Sequence, residues 1–166
     1  MRVPLQGFAP DLDPTTPGVL SDCDAIIPTE QGLAAAPSIA PTGLPALAGV
    51  PIGAYATTLL DGTKRFFAST ATNIYEAAGT AWTDRSRVGN YTGQRHRFAV
   101  FGNVVLAANR SQVIQSASAG AGFVDIATSP AAAILVSVNG FVMALDTTDG
   151  TYGDRPDGWW CSGLRD

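Results

Sequence analysis

Arg65-Phe66-Phe67-Ala68-Ser69-Thr70-Ala71-Thr72-Asn73-Ile74-Tyr75, closing on Trp82-Thr83-Asp84, is written a second time as Val105-Leu106-Ala107-Ala108-Asn109-Arg110-Ser111-Gln112-Val113-Ile114-Gln115, closing on Phe123-Val124-Asp125. Ala68 aligns with Ala107, Ile74 with Val113 and Trp82 with Phe123, at offsets of 39, 39 and 41 residues. A third opening, Val142-Met143-Ala144-Leu145-Asp146, places Ala144 37 residues after Ala107. A period near 40 made of short strands is the mark of a propeller blade or a related β-repeat. The repeat therefore predicts an all-β chain of propeller-like antiparallel meanders: about two blades and the start of a third.

The local signals agree. Tyr55–Leu60 and Arg65–Ser69 flank Asp61-Gly62, a hairpin signal. Asn73–Glu76 reads as a third strand and Trp82–Asp84 as a fourth, joined through Ala77–Thr80. Arg97–Phe101, Gly102-Asn103 and Val104–Ala108 repeat the strand–turn–strand unit, and so do Ala133–Val138, Asn139-Gly140 and Phe141–Leu145. Gln112–Gln115 alternates polar and apolar as a half-buried strand should. No segment carries a convincing helical period.

Residues 1–51 differ in texture. Nine of the eleven prolines lie there. Proline fixes φ and removes an N–H, which excludes long helices and central strands. Yet Phe8, Leu12, Ile26 and Ile27 are among many apolar groups too numerous to leave in water. We expect an extended, proline-rich arm over 1–51 lying on its own or a neighbour's surface, and a β-repeat domain over 52–166 that continues beyond the end of this chain. Ser21–Thr29 reads as a short edge strand ended by Pro28.

Composition narrows function. Apolar residues make up 46% and charged residues 14%, which describes a folded core. The net charge of −4 is arranged in blocks: residues 1–60 carry one base and five acids, 61–110 seven bases and three acids, 111–166 two bases and six acids. The basic middle block is a candidate surface for an acidic neighbour or for DNA, through Arg85, Arg87, Arg95 and Arg97. The plainer reading is a solvated face of exposed strands. The chain as a whole is too acidic for a dedicated DNA-binding protein.

His96 is the only histidine, so any Ser-His-Asp triad would have to use it. No G-x-S-x-G elbow accompanies it, and it reads as part of a surface strand leading into Phe98. Arg95 and Arg97 would share one face of that strand. Asp146, Asp149, Asp154 and Asp157 lie among glycines without the spacing of a calcium loop, and read as a long polar loop. Trp159-Trp160 is either a sugar platform or one ring packed in a blade with its neighbour at the edge. Cys23 and Cys161 have no metal-ligand spacing and are expected as free thiols in a reducing cytosol. No phosphate loop, dinucleotide motif or metal cluster occurs, so neither catalysis nor a cofactor is expected. No apolar stretch approaches a membrane span, and no signal peptide is evident.

Asp13-Pro14-Thr15-Thr16-Pro17-Gly18-Val19-Leu20-Ser21-Asp22-Cys23-Asp24-Ala25-Ile26-Ile27-Pro28-Thr29, with Gly32 and Ala36-Pro37-Ser38, resembles the amino-terminal arm of the β-propeller tail hub, nozzle or tail tubular proteins of short-tailed bacteriophages. Trp159-Trp160-Cys161-Ser162-Gly163-Leu164-Arg165-Asp166 is similar to a phrase that closes a hairpin early in their propeller. The resemblance implies a non-enzymatic virion protein of the tail, assembled in the host cytoplasm. It implies copies of itself in a ring, commonly six-fold, around the DNA exit channel. The portal and adaptor, and tail fibre or spike proteins, would be its partners, with transient contact to genomic DNA. The sequence reads as the front part of such a protein. Two other classes stay open: a carbohydrate-binding β-repeat module using Trp82 and Trp159-Trp160, and a minor capsid or head-completion protein.

Overall fold

The computed structural model describes residues 7–8, 11, 13, 15–16, 19–20, 25–29, 32–37 and 40–163. These residues form strands, turns and irregular segments, with no helix among them. The strands in chain order are β1 (Gly7–Phe8), β2 (Val19–Leu20), β3 (Ile26–Thr29), β4 (Gly32–Ala35), β5 (Gly53–Thr58), β6 (Lys64–Ser69), β7 (Ile74–Ala78), β8 (Ala81–Asp84), β9 (Arg97–Phe101), β10 (Val104–Ala108), β11 (Gln115–Ser118), β12 (Val124–Asp125), β13 (Ala131–Val138), β14 (Phe141–Asp149) and β15 (Gly153–Cys161).

The chain divides into two compact units, Met1–Thr42 and Gly43–Asp166. Within the first, β1 and β2 pair in parallel, and β3 and β4 form an antiparallel hairpin. Pro28 does not end β3 as expected but pairs with Leu33 inside it. A two-stranded ribbon leaves alternate N–H groups pointing away from the partner, and proline fits there. The larger unit begins at Gly43. Residues 43–52 adhere to the larger unit through the Trp82 Nε1–H bond to the Pro45 carbonyl (2.9 Å) and the Ile52 N–H bond to Ser69 O (2.8 Å).

The larger unit holds three successive antiparallel meanders: β5-β6-β7-β8, β9-β10-β11-β12 and β13-β14-β15. Ala68, Ala107 and Ala144 occupy the second strand of each and are all buried. Register also supports the end of the repeat, since Tyr75 faces Asp84 and Gln115 faces Asp125. Its middle needs correction. Gln115 pairs with Ala107 as Tyr75 pairs with Ala68, so the counterpart of Ile74 is Ile114, not Val113. The cause is an Asx turn: Asn109 Oδ1 accepts from the N–H groups of Ser111 and Gln112, and Arg110 takes φ +67°. Those residues turn instead of extending, and the strand starts at Gln115.

The sheets stack through alternation along each strand. Phe67 and Ile74 of the first sheet share one apolar cluster with Val105, Ala107 and Ala117 of the second. Ala99, Leu106 and Ala108, on the opposite face of the second sheet, share another with Ala132, Leu135 and Ala144 of the third. The second sheet is thus covered on both faces, and four of the five residues of β10 are fully buried. Phe67, Phe98 and Phe123 fill the first interface, with ring centroids 5.6–6.2 Å apart.

The acid-rich segment expected as a loop is a hairpin. β14 runs to Asp149 and β15 resumes at Gly153. The register shifts between Leu145 and Thr147, where Asp146 adopts φ +53°. This bulge lets the strand carry polar residues to the rim without breaking the pairing.

Candidate functional site

Three surfaces of the larger unit carry chemistry, and the basic block comes first. β6 and β7 place Arg65 and Glu76 on the face that meets the second sheet. Arg65 Nε donates to Glu76 Oε1 at 2.5 Å and Nη2 to Oε2 at 3.1 Å. Arg85 Nε reaches the same carboxylate at 2.8 Å. The other arm of Arg65 crosses the interface and donates to the carbonyls of Ala117 (3.1 Å) and Ser118 (3.0 Å). Burial pushes the Glu76 carboxyl upward, but the Arg65 and Arg85 guanidiniums outweigh it and hold it below its ordinary value. Arg87 spans the same junction: its Nε donates to Asp125 Oδ1 at 2.7 Å, and its Nη2 pairs with Oδ2.

The four arginines of the candidate channel surface therefore fall into two pairs. Arg85 and Arg87 are both half-buried in ion pairs, Arg85 with Glu76 of the first sheet and Arg87 with Asp125 of the second, so that only the latter joins the two sheets. Arg95 and Arg97 are exposed, and neither has an ion-pair partner among the described residues. They are not neighbours on one strand, because β9 begins at Arg97. His96, between them, is not on a surface strand either. It is 2% exposed, edge-on to Tyr91 at 4.3 Å and tilted against Phe98 at 6.1 Å. Neither ring nitrogen has a hydrogen-bond partner among the described residues. Burial lowers its pKa to about 4, so it is neutral at pH 7 and packs as an aromatic ring.

The second surface is the hairpin of β14 and β15. Arg110 Nη2 lies 2.8 Å from Asp146 Oδ1 and 2.6 Å from Asp154 Oδ1, tying the turn after β10 to the third sheet. Asp149 Oδ1 accepts from the N–H groups of Thr151 and Tyr152 and shapes the hairpin turn. Beside it, Tyr152, Trp159, Asp149, Arg155 and Asp157 line an open depression of about 600 Å³. No group of metal-ligating side chains forms among the described residues. Cys161 is an exposed free thiol.

The third surface was not anticipated from the sequence. On the face of the third sheet turned away from the second, Ile134, Val136 and Val138 are 41–46% exposed and Trp159 is 64% exposed. Their cross-strand partners Leu145, Met143 and Phe141 share that face. The alternation was present in Ile134–Val138, but a strand buried on both faces reads much the same. Trp160 points the other way, into an apolar cleft of about 510 Å³ shared with Leu106, Ile114, Val142 and Ala144.

Of the proposed arm contacts, Phe8 belongs to β1, and Ile26 and Ile27 in β3 are 38% and 42% exposed. Leu12 lies outside the described residues. No described helix is long and apolar enough to cross a membrane. No protein-family model matches the sequence, and no curated protein matches it significantly.

Proposed function

We propose that this protein is a structural, non-enzymatic subunit of a ring in the tail of a short-tailed bacteriophage, with blade-like sheets around an axis. The observation that carries the reading is the stacking of three consecutive meanders, with the middle one covered on both faces. That is how neighbouring blades of a propeller meet. The resemblance of the Asp13–Thr29 stretch to tail-hub arms supplies the setting: a ring beneath the portal and adaptor, offering attachment surfaces to fibres or spikes. Arg95 and Arg97 are the cations available to a DNA path or to an acidic neighbour. Arg85 and Arg87 serve the fold.

A second reading has a specific observation behind it. Tyr152 and Trp159 beside Asp149, Arg155 and Asp157 combine aromatic faces with polar groups, as sugar-binding clefts do. Light scattering on the purified protein together with a glycan array separates the two. The tail reading expects an oligomer without selective glycan binding. A monomer that binds defined glycans would overturn it.

A further inference from the structure

The junction between the second and third sheets repeats the one between the first and second, except at a single aromatic position. In the first junction Phe123, just before β12, is buried against Phe67, Ile74, Val105 and Ala117. Its ring centroid lies 5.6 Å from that of Phe67, and its N–H donates to Arg85 O at 2.8 Å. Each of these neighbours has a counterpart one sheet further on. Ala68, Ala107 and Ala144 are equivalent, so Phe67 corresponds to Leu106 and Val105 to Val142. Ile74 corresponds to Ile114. Arg85 corresponds to Ile126, because the Arg85 N–H donates to Ile74 O (2.8 Å) as the Ile126 N–H donates to Ile114 O (2.9 Å). Ala117 faces Val105, and Ser162 faces Val142 through its N–H bond to Val142 O (2.9 Å).

Leu106, Ile114, Ile126, Val142 and Ser162 all line the apolar cleft of about 510 Å³ beside Trp160. The cleft is therefore the Phe123 site formed a second time. It is continuous with the packed interface of the second and third sheets, since Leu106, Ile114, Val142 and Ala144 belong to both. The sheet edge beside it matches. β7 pairs with β8 and β11 with β12 on their outer sides, whereas β15 has no strand on its outer side among the described residues.

We infer that this cleft is a docking site for an extended segment of a partner polypeptide, which pairs antiparallel with the outer edge of β15 and seats an aromatic side chain opposite Ser162. A strand added to an open edge is held by main-chain hydrogen bonds, and the pocket beside the edge selects the side chain. The register follows from β11 and β12, where Val124 faces Ser116 and Asp125 faces Gln115. The residue after the aromatic therefore lies across from Cys161, and the next across from Trp160. The wall of Leu106, Ile114 and Val142 calls for a ring, as Phe67, Ile74 and Val105 do for Phe123. Arg87, which binds Asp125, corresponds to the uncharged Thr128, so the residue across from Trp160 need not be acidic. Ile126 O already accepts from the Ser129 N–H (2.9 Å) and hydroxyl (2.8 Å), which leaves the ring and the β15 edge to hold the segment. The inference rests on the cleft and not on the tail assignment.

The test uses the full 166-residue chain with Cys23→Ser, which leaves Cys161 as its only thiol. The probes are synthetic peptides of residues 120–127 that carry Val124→Cys as a mixed disulfide with glutathione. Thiol–disulfide exchange transfers the peptide to Cys161 and releases glutathione, and mass spectrometry reads the yield. The peptide with Phe123 is expected to load at least about tenfold better than one that also carries Phe123→Ala, in line with the burial of one such ring. A peptide with Asp125→Cys and Val124 kept is expected to load no better than the Phe123→Ala peptide. All the differences lie in the peptides, so the fold of the protein is common to every arm. Equal loading with and without the ring would overturn the inference. So would preferential loading through position 125, which contradicts the register. A Cys161 that closes to the peptide as protein concentration rises would give the cleft to a second copy and overturn it too. Selective loading of a monomeric protein would uphold the inference while sinking the tail ring, so the two fail separately.

Discussion

Arg87 Nε donates to Asp125 Oδ1 at 2.7 Å, joining the segment that leaves the first sheet to the last strand of the second. One turn of chain away, Arg85 O accepts from the Phe123 N–H at 2.8 Å. The closing phrases of the two repeats, Trp82–Asp84 and Phe123–Asp125, are thus joined through the residues that follow the first. The basic block acts mainly as mortar between sheets.

That difference in burial predicts unequal mutational costs. Glu76→Ala leaves Arg65 buried with its charge uncompensated and should cost about 3–5 kcal/mol. Arg87→Ala removes a partly solvated pair and should cost about 0.2–1 kcal/mol. Urea unfolding monitored by tryptophan fluorescence reads both. Equal costs would show that the Arg65–Glu76–Arg85 cluster is not desolvated.

His96 predicts a stability loss above the range where carboxylates titrate. Its folded pKa is about 4, below the 6.5 of the free side chain, so the unfolded state takes up the proton first. Its stabilising contribution is whole above pH 6.5 and is lost as pH falls toward 4, by up to about 3 kcal/mol at 1.36 kcal/mol per pH unit. Tyr91 packs on it and is itself held neutral by burial, its pKa pushed up to about 12. His96→Phe should flatten the pH dependence of the urea midpoint between pH 6.5 and 4.5. A variant with the wild-type slope there would remove His96 from the account.

Ala107 sits fully buried between the first and second sheets. Ala107→Leu forces extra methylenes between Phe67 and Val105 and should destabilise by about 1–3 kcal/mol. Calorimetry would report it as a lowered melting temperature. A neutral result would mean that the two sheets are not in close contact.

Arg95 and Arg97 predict a salt-dependent effect without a stability effect. Charge reversal at both should weaken binding to short duplex DNA at low salt and leave the melting temperature within about 0.5 kcal/mol equivalent, as for surface substitutions generally. Reversal at Arg85 or Arg87 should lower the melting temperature instead. Fluorescence anisotropy and thermal melts on the same samples separate these outcomes.

The fold was legible where the chain speaks in pairs of strands. Arg97–Phe101, Gly102-Asn103 and Val104–Ala108 fall where the sequence puts them. Asn139 and Gly140 both take positive φ (+45° and +82°), the turn their residue types favour. Side-chain bonding to the backbone was harder to read: the Asn109 turn displaced β11, and the Asp146 bulge hid a hairpin inside an acid-rich stretch. The surfaces were least legible. Sequence cannot distinguish an arginine that faces solvent, such as Arg97, from one spent on a partner 38 residues away, such as Arg87. Nor does the composition of β13 say which of its two apolar faces is already covered.

The central claim is that these sheets are blades of an assembly larger than one chain. Single-particle imaging of the purified protein tests it most directly. The account predicts closed discs with sheets arranged radially about a channel. A uniform field of monomer-sized particles, unchanged as concentration rises, would contradict it.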